Sequence, residues 1–219
     1  MPRGVIFDID GTLVDSNRAH AESWAETLRS FGYSVTADEV QPLIGMGGDK
    51  LLPKLIGVDI ESDAGRKYSE HRTRLFFEKY FPSLRAFPGV RALAERLRDD
   101  GYVLVIASSA SEEELEKLLG LAGIEDLLTD ATSSDDAERS KPDPDIVHAA
   151  IRQSGLPARQ LVMIGDTPYD VEAARRAGVR IIAVRTGGWD DQALAGASAI
   201  YDDVATLLAE YDNSIFSRG

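Results

Sequence analysis

The order of apolar and polar positions divides the chain into two parts of different character. Residues 3–7, which contain the apolar run VIF, predict a first buried strand. The next stretch has little strand character. Its apolar residues recur at helical spacing, which predicts helices over about 17–31, 38–56 and 62–81, separated by glycine-rich breaks.

Strands and helices alternate from Pro88 onward. The uninterrupted apolar segment at 103–107, VLVIA, is typical of a strand that is buried on both faces of a parallel sheet. Further strands are predicted at 130–132, 161–165 and 180–186, and helices at about 88–102, 111–123, 144–155, 167–178 and 203–211. This alternation predicts an α/β fold with a doubly wound parallel sheet. Right-handed crossovers bring the carboxyl ends of such strands to one edge, where ligands bind.

The two parts predict two domains. Residues 1–15 and 86–219 form an α/β catalytic core, and residues 16–85 form a small helical domain inserted after the first strand. We expect the insertion to lie over the carboxyl edge of the sheet and to act as a lid. Asp15, at the entrance to the insertion, is interpreted as a hinge or turn residue.

The composition of the 219 residues is that of a soluble globular protein, with 43% hydrophobic and 28% charged residues. Cysteine is absent, which excludes disulfides, thiolate catalysis and cysteine-ligated zinc or iron–sulfur sites. The first residues lack the apolar run and cleavage site of a signal peptide, and no apolar run has the length of a membrane span. We therefore expect a cytoplasmic protein.

The net charge of −13 disfavours a binder of nucleic acid or of anionic membranes, because such proteins need a basic face. An anionic substrate remains possible, since one local cation can outweigh the global charge. The acidic runs at 112–116 and 135–138 are interpreted as solvated surface.

Carboxylates follow two of the predicted core strands. Asp8 and Asp10 end the first strand and, two residues apart, begin on the same face. Asp166 and Asp170 follow the strand at 161–165 and, four residues apart, can also face together. Four carboxylates in one cleft repel one another, so either some are protonated or a cation lies among them. Oxygen ligands without His or Cys favour a hard ion, and Mg²⁺ is the natural candidate.

Hydroxyl and ammonium donors are predicted at the same edge. Ser108 and Ser109 follow the strand at 103–107, and Lys141 precedes the helix at 144–155. The Ser108 side chain, the backbone N–H of Ser109 and Lys141 are suitable donors to phosphoryl oxygens. Together with Mg²⁺, they indicate a phosphorylated substrate. Attack by a carboxylate on phosphorus would give an aspartyl phosphate, with the metal and the lysine stabilising the transferred charge.

Four short motifs in this order resemble those of the haloacid dehalogenase superfamily. They are DIDGTL at 8–13, Ser108 after a strand, KP at 141–142 and GDTPYD at 165–170. The resemblance covers essentially the whole chain, and the helical insertion resembles the C1-type cap of the superfamily. It implies a Rossmann-like core and places the chain near the phosphoglycolate phosphatase and β-phosphoglucomutase branch.

The resemblance implies that Asp8 is the nucleophile and also a metal ligand. Asp10 would be the general acid and base, which protonates the leaving oxygen and then activates water. In the superfamily, the backbone carbonyl at the position of Asp10 usually ligates Mg²⁺. The dehalogenases lack an aspartate at this position, so Asp10 favours phosphoryl transfer over carbon–halogen hydrolysis.

The resemblance also assigns the remaining motif residues. Ser108 would bind the phosphate, Lys141 would steady Asp8 and the phosphate, and Asp166 would bind the metal directly. Asp170 would act through water or by orienting Lys141. The residues alone leave simpler interpretations open: Asp166 as a helix N-cap, and Asp170 as an acidic residue in a first helical turn.

The insertion is expected to set substrate specificity. His20 and Trp24 have a spacing after DIDGTLVDS that is similar to that of the β-phosphoglucomutase-like members. Trp24 is interpreted as core of the cap, and His20 as either core or a specificity residue. The segment 44–52, IGMGGDKLL, is interpreted as a flexible substrate-facing loop in which Lys50 contacts an anion. Mutase relatives carry a phosphate-gripping arginine in this loop, whereas this chain has Gly47–Asp49.

Three hypotheses follow. The first is a Mg²⁺-dependent phosphomonoester hydrolase, cytoplasmic and either monomeric or weakly dimeric, that acts on a small phosphorylated metabolite. The second is a phosphomutase of the β-phosphoglucomutase type, which the missing arginine disfavours. The third is a non-catalytic module that binds phosphate, which the presence of every expected catalytic residue disfavours.

Overall fold

The computed structural model describes residues 2–134 and 137–217. The chain divides into two compact units, Met1–Asp15 with Arg85–Gly219 and Ser16–Leu84. The predicted division placed Arg85 in the insertion, whereas the structure places it in the first unit. The functions predicted for the two units, catalytic core and cap, remain predictions.

The Ser16–Leu84 unit is helical. Its helices are α1 (Asn17–Ser30), α2 (Ala37–Val40), α3 (Gly48–Ile56) and α4 (Asp63–Leu75), and a π-helical turn over Phe76–Tyr80 prolongs α4. Trp24 packs with Leu28 and Leu51 in the hydrophobic core of this unit. The interpretation of Trp24 as a core residue is therefore confirmed.

The prediction of one helix over 38–56 is wrong. After α2 the chain makes a 3₁₀ turn that contains Pro42, and Gly45 then has a φ of +100°. Proline lacks the N–H that a helix needs, and a positive φ is incompatible with a right-handed helix. Helical structure resumes only at Gly48.

The other unit is built on one parallel sheet. Its strands are β1 (Gly4–Phe7), β2 (Val103–Ala107), β3 (Asp130–Thr132), β4 (Leu161–Gly165), β5 (Arg180–Val184) and β6 (Ala199–Tyr201). Among the described residues the strand order is β3-β2-β1-β4-β5-β6, with every neighbouring pair parallel. The order reverses direction at β1, which confirms the predicted doubly wound sheet.

The register of the sheet brings the strand ends to one edge. Phe7 of β1 is paired with Ile106 of β2 and with Ile164 of β4. Asp8 directly follows Phe7, while Ser108 and Asp166 come two residues after Ile106 and Ile164. The three residues therefore leave neighbouring strands within about one residue of the same level. The central strands are fully buried because parallel strands are covered by helices on both faces.

Helices α5 to α9 belong to the same unit: α5 (Val90–Asp99), α6 (Glu112–Ala122), α7 (Asp145–Ser154), α8 (Pro168–Ala177) and α9 (Val204–Ala209). In α5, the apolar stripe Val90, Leu93 and Leu97 is buried as its spacing predicts. No helix in the described parts of the chain is long and apolar enough to span a membrane.

Two features of this unit differ from the predictions. The edge strand β6 was not predicted, because its three residues are half-buried and too few to show a period. In the acidic run at 112–116, Glu112, Glu113 and Glu116 are exposed as expected of solvated surface, whereas Glu114 is only 4% exposed, so the interpretation is wrong for Glu114 alone. In the run at 135–138, Asp135 and Asp136 lie outside the described residues.

Candidate active site

The first candidate residues lie where β1 runs into the DIDGT loop. The backbone N–H of Asp8 still donates to the carbonyl of Ile164 (2.9 Å), so its carboxylate starts from a position that the sheet fixes. The loop then folds back on Ile9, whose carbonyl accepts from Leu13 N–H (2.8 Å). Asp8 is buried and Asp10 is half-buried.

A buried ammonium group joins two of the predicted carboxylates. Lys141 Nζ makes ion pairs with Asp8 Oδ1 and with Asp170 Oδ1, the latter at 2.8 Å. The Lys141 side chain is 1% exposed. Burial on its own lowers the pKa of a lysine, but Asp170 and Asp8 outweigh it, so the pKa of Lys141 lies above its ordinary value. Lys141 is therefore charged over the whole physiological range.

Without a metal ion, the environment of Asp8 opposes ionisation of its carboxyl group even though Lys141 is beside it. Burial is the largest cause that raises the pKa of Asp8 to about 7, and the charges of Asp170 and Asp10 act in the same direction. Lys141 opposes them. A carboxylate that has to be ionised in this position needs more positive charge than Lys141 supplies.

Asp170 has two functions, one for each carboxylate oxygen. Its Oδ2 accepts from the Thr167 N–H (3.0 Å) and hydroxyl (2.6 Å), while Thr167 Oγ1 accepts from the Asp170 N–H (3.2 Å). This capping box starts α8. Because Oδ1 is left for Lys141, Asp170 is both a residue of the first helical turn and the partner that orients Lys141.

A group of carboxylates is suited to a metal ion. Asp8, Asp166 and Asp170 are all buried, and one oxygen from each lies within 4.8 Å of the others. Three buried carboxylates beside one ammonium leave uncompensated negative charge, which a divalent cation would offset. The all-oxygen donor set fits a hard ion of the Mg²⁺ type. The Asp10 side chain is not in this group, and its predicted backbone contact remains a prediction.

Thr12 is a site residue that the sequence interpretation missed. Its hydroxyl is 3.4 Å from Asp8 Oδ2 and 3.3 Å from Asp166 Oδ1, and the residue is fully buried. One hydroxyl proton can serve only one of the two oxygens at a time. The sequence feature that could have identified Thr12 as a site residue is its position in the DIDGT motif, four residues after Asp8.

The two serines directly follow β2, the strand that pairs with β1 just before Asp8. Ser108 Oγ accepts from the Ala110 N–H (3.1 Å), which leaves its own proton available for donation. Ser109 Oγ is buried and has no hydrogen-bond partner among the residues that the structure describes. A buried hydroxyl without a partner is costly, so this atom is suited to hold a polar ligand.

The cap candidates differ in their surroundings. His20 is buried, stacks on Phe76 (centroids 4.4 Å apart) and forms a hydrogen bond through Nδ1 with Arg72. Arg72, which was not predicted, also lies over Phe76 (4.7 Å from its centroid) and donates to Ser23 Oγ (3.2 Å). Lys50 is half-buried in the first turn of α3, so the interpretation of 44–52 as a flexible loop is wrong from Gly48 onward. The specificity role of His20 and Lys50 remains a prediction.

Comparison with known proteins gives consistent matches over nearly the whole chain. The family model of the haloacid dehalogenase-like hydrolases matches residues 5–184. The phosphoglycolate phosphatase of Rhodospirillum rubrum is 31% identical over 216 residues, which cover 94% of this chain and 90% of that protein. A hydrolase from Pseudomonas syringae superposes with a TM-score of 0.89 at 30% identity, covering 96% of this chain and 98% of that one. A β-phosphoglucomutase from Clostridium difficile shares the fold, with a TM-score of 0.82 at 18% identity and coverage of 97% and 96%.

Proposed function

The chain belongs to the haloacid dehalogenase-like hydrolases, and we propose that it is a Mg²⁺-dependent phosphatase that hydrolyses the phosphomonoester of a small metabolite. The resemblance to this family that the four motifs indicated is confirmed. The observation that carries the proposal is the Lys141 ammonium, buried between Asp8 and Asp170 beside Asp166. The uncompensated negative charge of this site would attract a cation, and the cation together with Lys141 would attract a phosphoryl group in spite of the negative net charge of the protein.

Asp8 is the proposed nucleophile. Its Oδ2 attacks phosphorus, the ester P–O bond breaks, and an aspartyl phosphate forms. Lys141 keeps Oδ1 in place through the ion pair, so the attacking carboxylate is held in one orientation. Mg²⁺ held by Asp8, Asp166 and Asp170 would supply positive charge for the ionised carboxylate and the transferring group.

Asp10 is the proposed general acid and base. It donates its proton to the leaving oxygen in the first step, and the alcohol departs. It then accepts a proton from water, which attacks the aspartyl phosphate at phosphorus. The bond from phosphorus to Asp8 breaks, and inorganic phosphate is released. The half-buried position of Asp10 supports this role, because a group that exchanges protons with water needs access to it.

The oxygens of the transferring group would be bound by three donors. These are the Ser108 hydroxyl, the backbone N–H of Ser109 and Lys141 Nζ. The Ser109 hydroxyl, which has no partner among the described residues, supports an additional contact to the ligand. Donors that are fixed before the substrate arrives stabilise developing charge without reorganisation.

The nature of the leaving group belongs to the same proposal. The match to the Rhodospirillum rubrum phosphoglycolate phosphatase makes small phosphorylated acids the first substrates to test. We propose that the helical unit acts as the lid and that His20 and Lys50 select the leaving group. A cytoplasmic location and a monomeric or weakly dimeric state remain predictions from the sequence.

The decisive experiment is phosphate release from p-nitrophenyl phosphate and from a panel of phosphorylated metabolites, with and without Mg²⁺. We expect Mg²⁺-dependent turnover that Asp8→Asn abolishes and that Asp15→Asn, the same change at an exposed aspartate, retains. Turnover by Asp8→Asn would contradict the nucleophile assignment. Mg²⁺ binding without turnover of any compound would favour a non-catalytic phosphate-binding module instead.

A phosphomutase is the second candidate, and the β-phosphoglucomutase fold neighbour is compatible with it. The segment Gly47–Asp49 does not supply the arginine that mutase relatives use for a second phosphate. Interconversion of hexose 1-phosphate and 6-phosphate that depends on a bisphosphate primer would select the mutase.

A further inference from the structure

The backbone of the turn after β5 packs directly against Asp166. A Cβ atom placed on Gly187 would lie 2.5 Å from the Asp166 carbonyl oxygen and closer still to the carboxylate oxygen Oδ2. Gly187, unlike Gly188 with its φ of +79°, does not have a positive φ. The close approach to Asp166, and not the backbone conformation, therefore excludes a side chain at position 187.

The other oxygen of the same carboxylate is also contacted. Thr12 Oγ1 lies 3.3 Å from Asp166 Oδ1, and Asp166 is fully buried. The carboxylate is thus confined between the Thr12 hydroxyl on one side and the Gly187 backbone on the other. Little space remains in which it can rotate.

The turn is itself anchored to its surroundings. The Thr186 hydroxyl donates to the carbonyl of Gly11, in the loop that carries Asp8 and Asp10. The Arg185 guanidinium binds Asp191 through two contacts (2.7 and 3.0 Å) and Asp202 through a third (2.6 Å). Movement of the turn would therefore disturb both the Asp166 carboxylate and the DIDGT loop.

We propose that Gly187 and Thr186 are positioning residues for the metal site. Gly187 fixes the orientation of the Asp166 carboxylate by close contact, and Thr186 holds the turn against the DIDGT loop. A ligand that is already fixed loses less conformational freedom when it binds, and partners that orient metal ligands typically contribute 10–100-fold in affinity. This inference rests on the proposed function, because it assumes that Asp166 binds the metal.

The test compares Gly187→Ala with Gly188→Ala in metal-free protein. Isothermal titration calorimetry measures the dissociation constant of Mg²⁺, and thermal unfolding in EDTA measures stability. We expect Gly187→Ala to weaken Mg²⁺ binding by about 10-fold or more. Gly188→Ala is the matched control, since its Cβ meets nothing within 4 Å and its positive φ costs stability without displacing Asp166.

Thr186→Val and Thr186→Ser give a second comparison that remains informative if Gly187→Ala does not fold. We expect Thr186→Val to weaken Mg²⁺ binding. Thr186→Ser, which keeps the hydroxyl, should bind Mg²⁺ with nearly the wild-type affinity. Wild-type affinity in Gly187→Ala, or in Thr186→Val where Gly187→Ala fails to fold, would overturn the positioning role.

The outcomes separate this inference from the proposed function. A weakened affinity in Gly187→Ala supports the positioning role even if the wild type hydrolyses no phosphomonoester, a result that would contradict only the phosphatase. Absence of Mg²⁺ binding in the wild type would overturn both.

Discussion

Lys141 Nζ lies 2.8 Å from Asp170 Oδ1 and forms a second ion pair with Asp8, so one buried ammonium connects the end of β1 with the start of α8. Each of these groups would be costly to bury alone, and the pairing removes much of that cost. The contact is therefore a structural element as well as the centre of the proposed chemistry. Changes at either end should affect both stability and activity.

We predict that Lys141→Ala abolishes phosphatase activity and lowers the free energy of unfolding by about 3–5 kcal/mol, because it leaves two buried carboxylates without their partner. Mg²⁺ should recover part of this stability by binding the carboxylates. Phosphate release and urea unfolding with and without Mg²⁺ measure both effects. Lys117→Ala, at an exposed lysine that pairs with Glu113, is the control and should change neither by much.

The two oxygens of Asp170 can be separated by mutation. Asp170→Asn keeps an acceptor for the Thr167 N–H and hydroxyl but loses the ion pair with Lys141, whereas Asp170→Ala loses both. We expect both variants to lose activity to a similar extent. Asp170→Ala should be less stable than Asp170→Asn by about 1 kcal/mol, the usual contribution of a helix cap. Equal thermal stability of the two variants would show that the capping box contributes nothing.

Thr12→Val tests the hydroxyl that lies between Asp8 and Asp166. Valine has nearly the same shape, so the substitution removes the hydrogen bond with little change in packing. We expect a 10–100-fold loss in Mg²⁺ affinity or in kcat/KM, as is typical when a partner of a metal ligand is removed. Thr12→Ser should retain most of the activity. Wild-type kinetics in Thr12→Val would place the hydroxyl outside the mechanism.

The strand ends were predictable from the sequence, whereas the partners of the site residues were not. Asp8 and Asp166 each follow an apolar strand, so the parallel sheet places them together. Lys141 is one lysine in a loop, and only its motif distinguishes it from a surface residue. Arg72 contacts His20 across 52 positions of the chain, and no local pattern predicts a contact of that kind. Site residues at the carboxyl edge can therefore be predicted from the apolar strands that precede them, whereas contacts between side chains of distant helices cannot be predicted from the sequence.

Metal addition should stabilise the protein by an amount that depends on the carboxylate group. Binding to the folded state alone raises the free energy of unfolding by RT ln(1 + [L]/Kd), or about 2.7 kcal/mol at 100 times Kd. We expect Mg²⁺ to raise the melting temperature of the wild type and Asp166→Asn to abolish the shift. Asp190→Asn, at an exposed aspartate, should preserve it. A full shift in Asp166→Asn would exclude Asp166 as a ligand.

Lys50 is the cap residue that is simplest to test, because Lys54 lies four residues later in the same helix and gives a matched control. If Lys50 binds an anionic group of the leaving alcohol, Lys50→Ala should raise KM for a phosphorylated acid by about 10-fold, the equivalent of about 1.4 kcal/mol. It should leave KM for p-nitrophenyl phosphate nearly unchanged, since that compound has no second anionic group. Lys54→Ala, at an exposed position, should alter neither value. An equal rise in KM for both compounds would indicate a general electrostatic effect and would contradict a specificity role for Lys50.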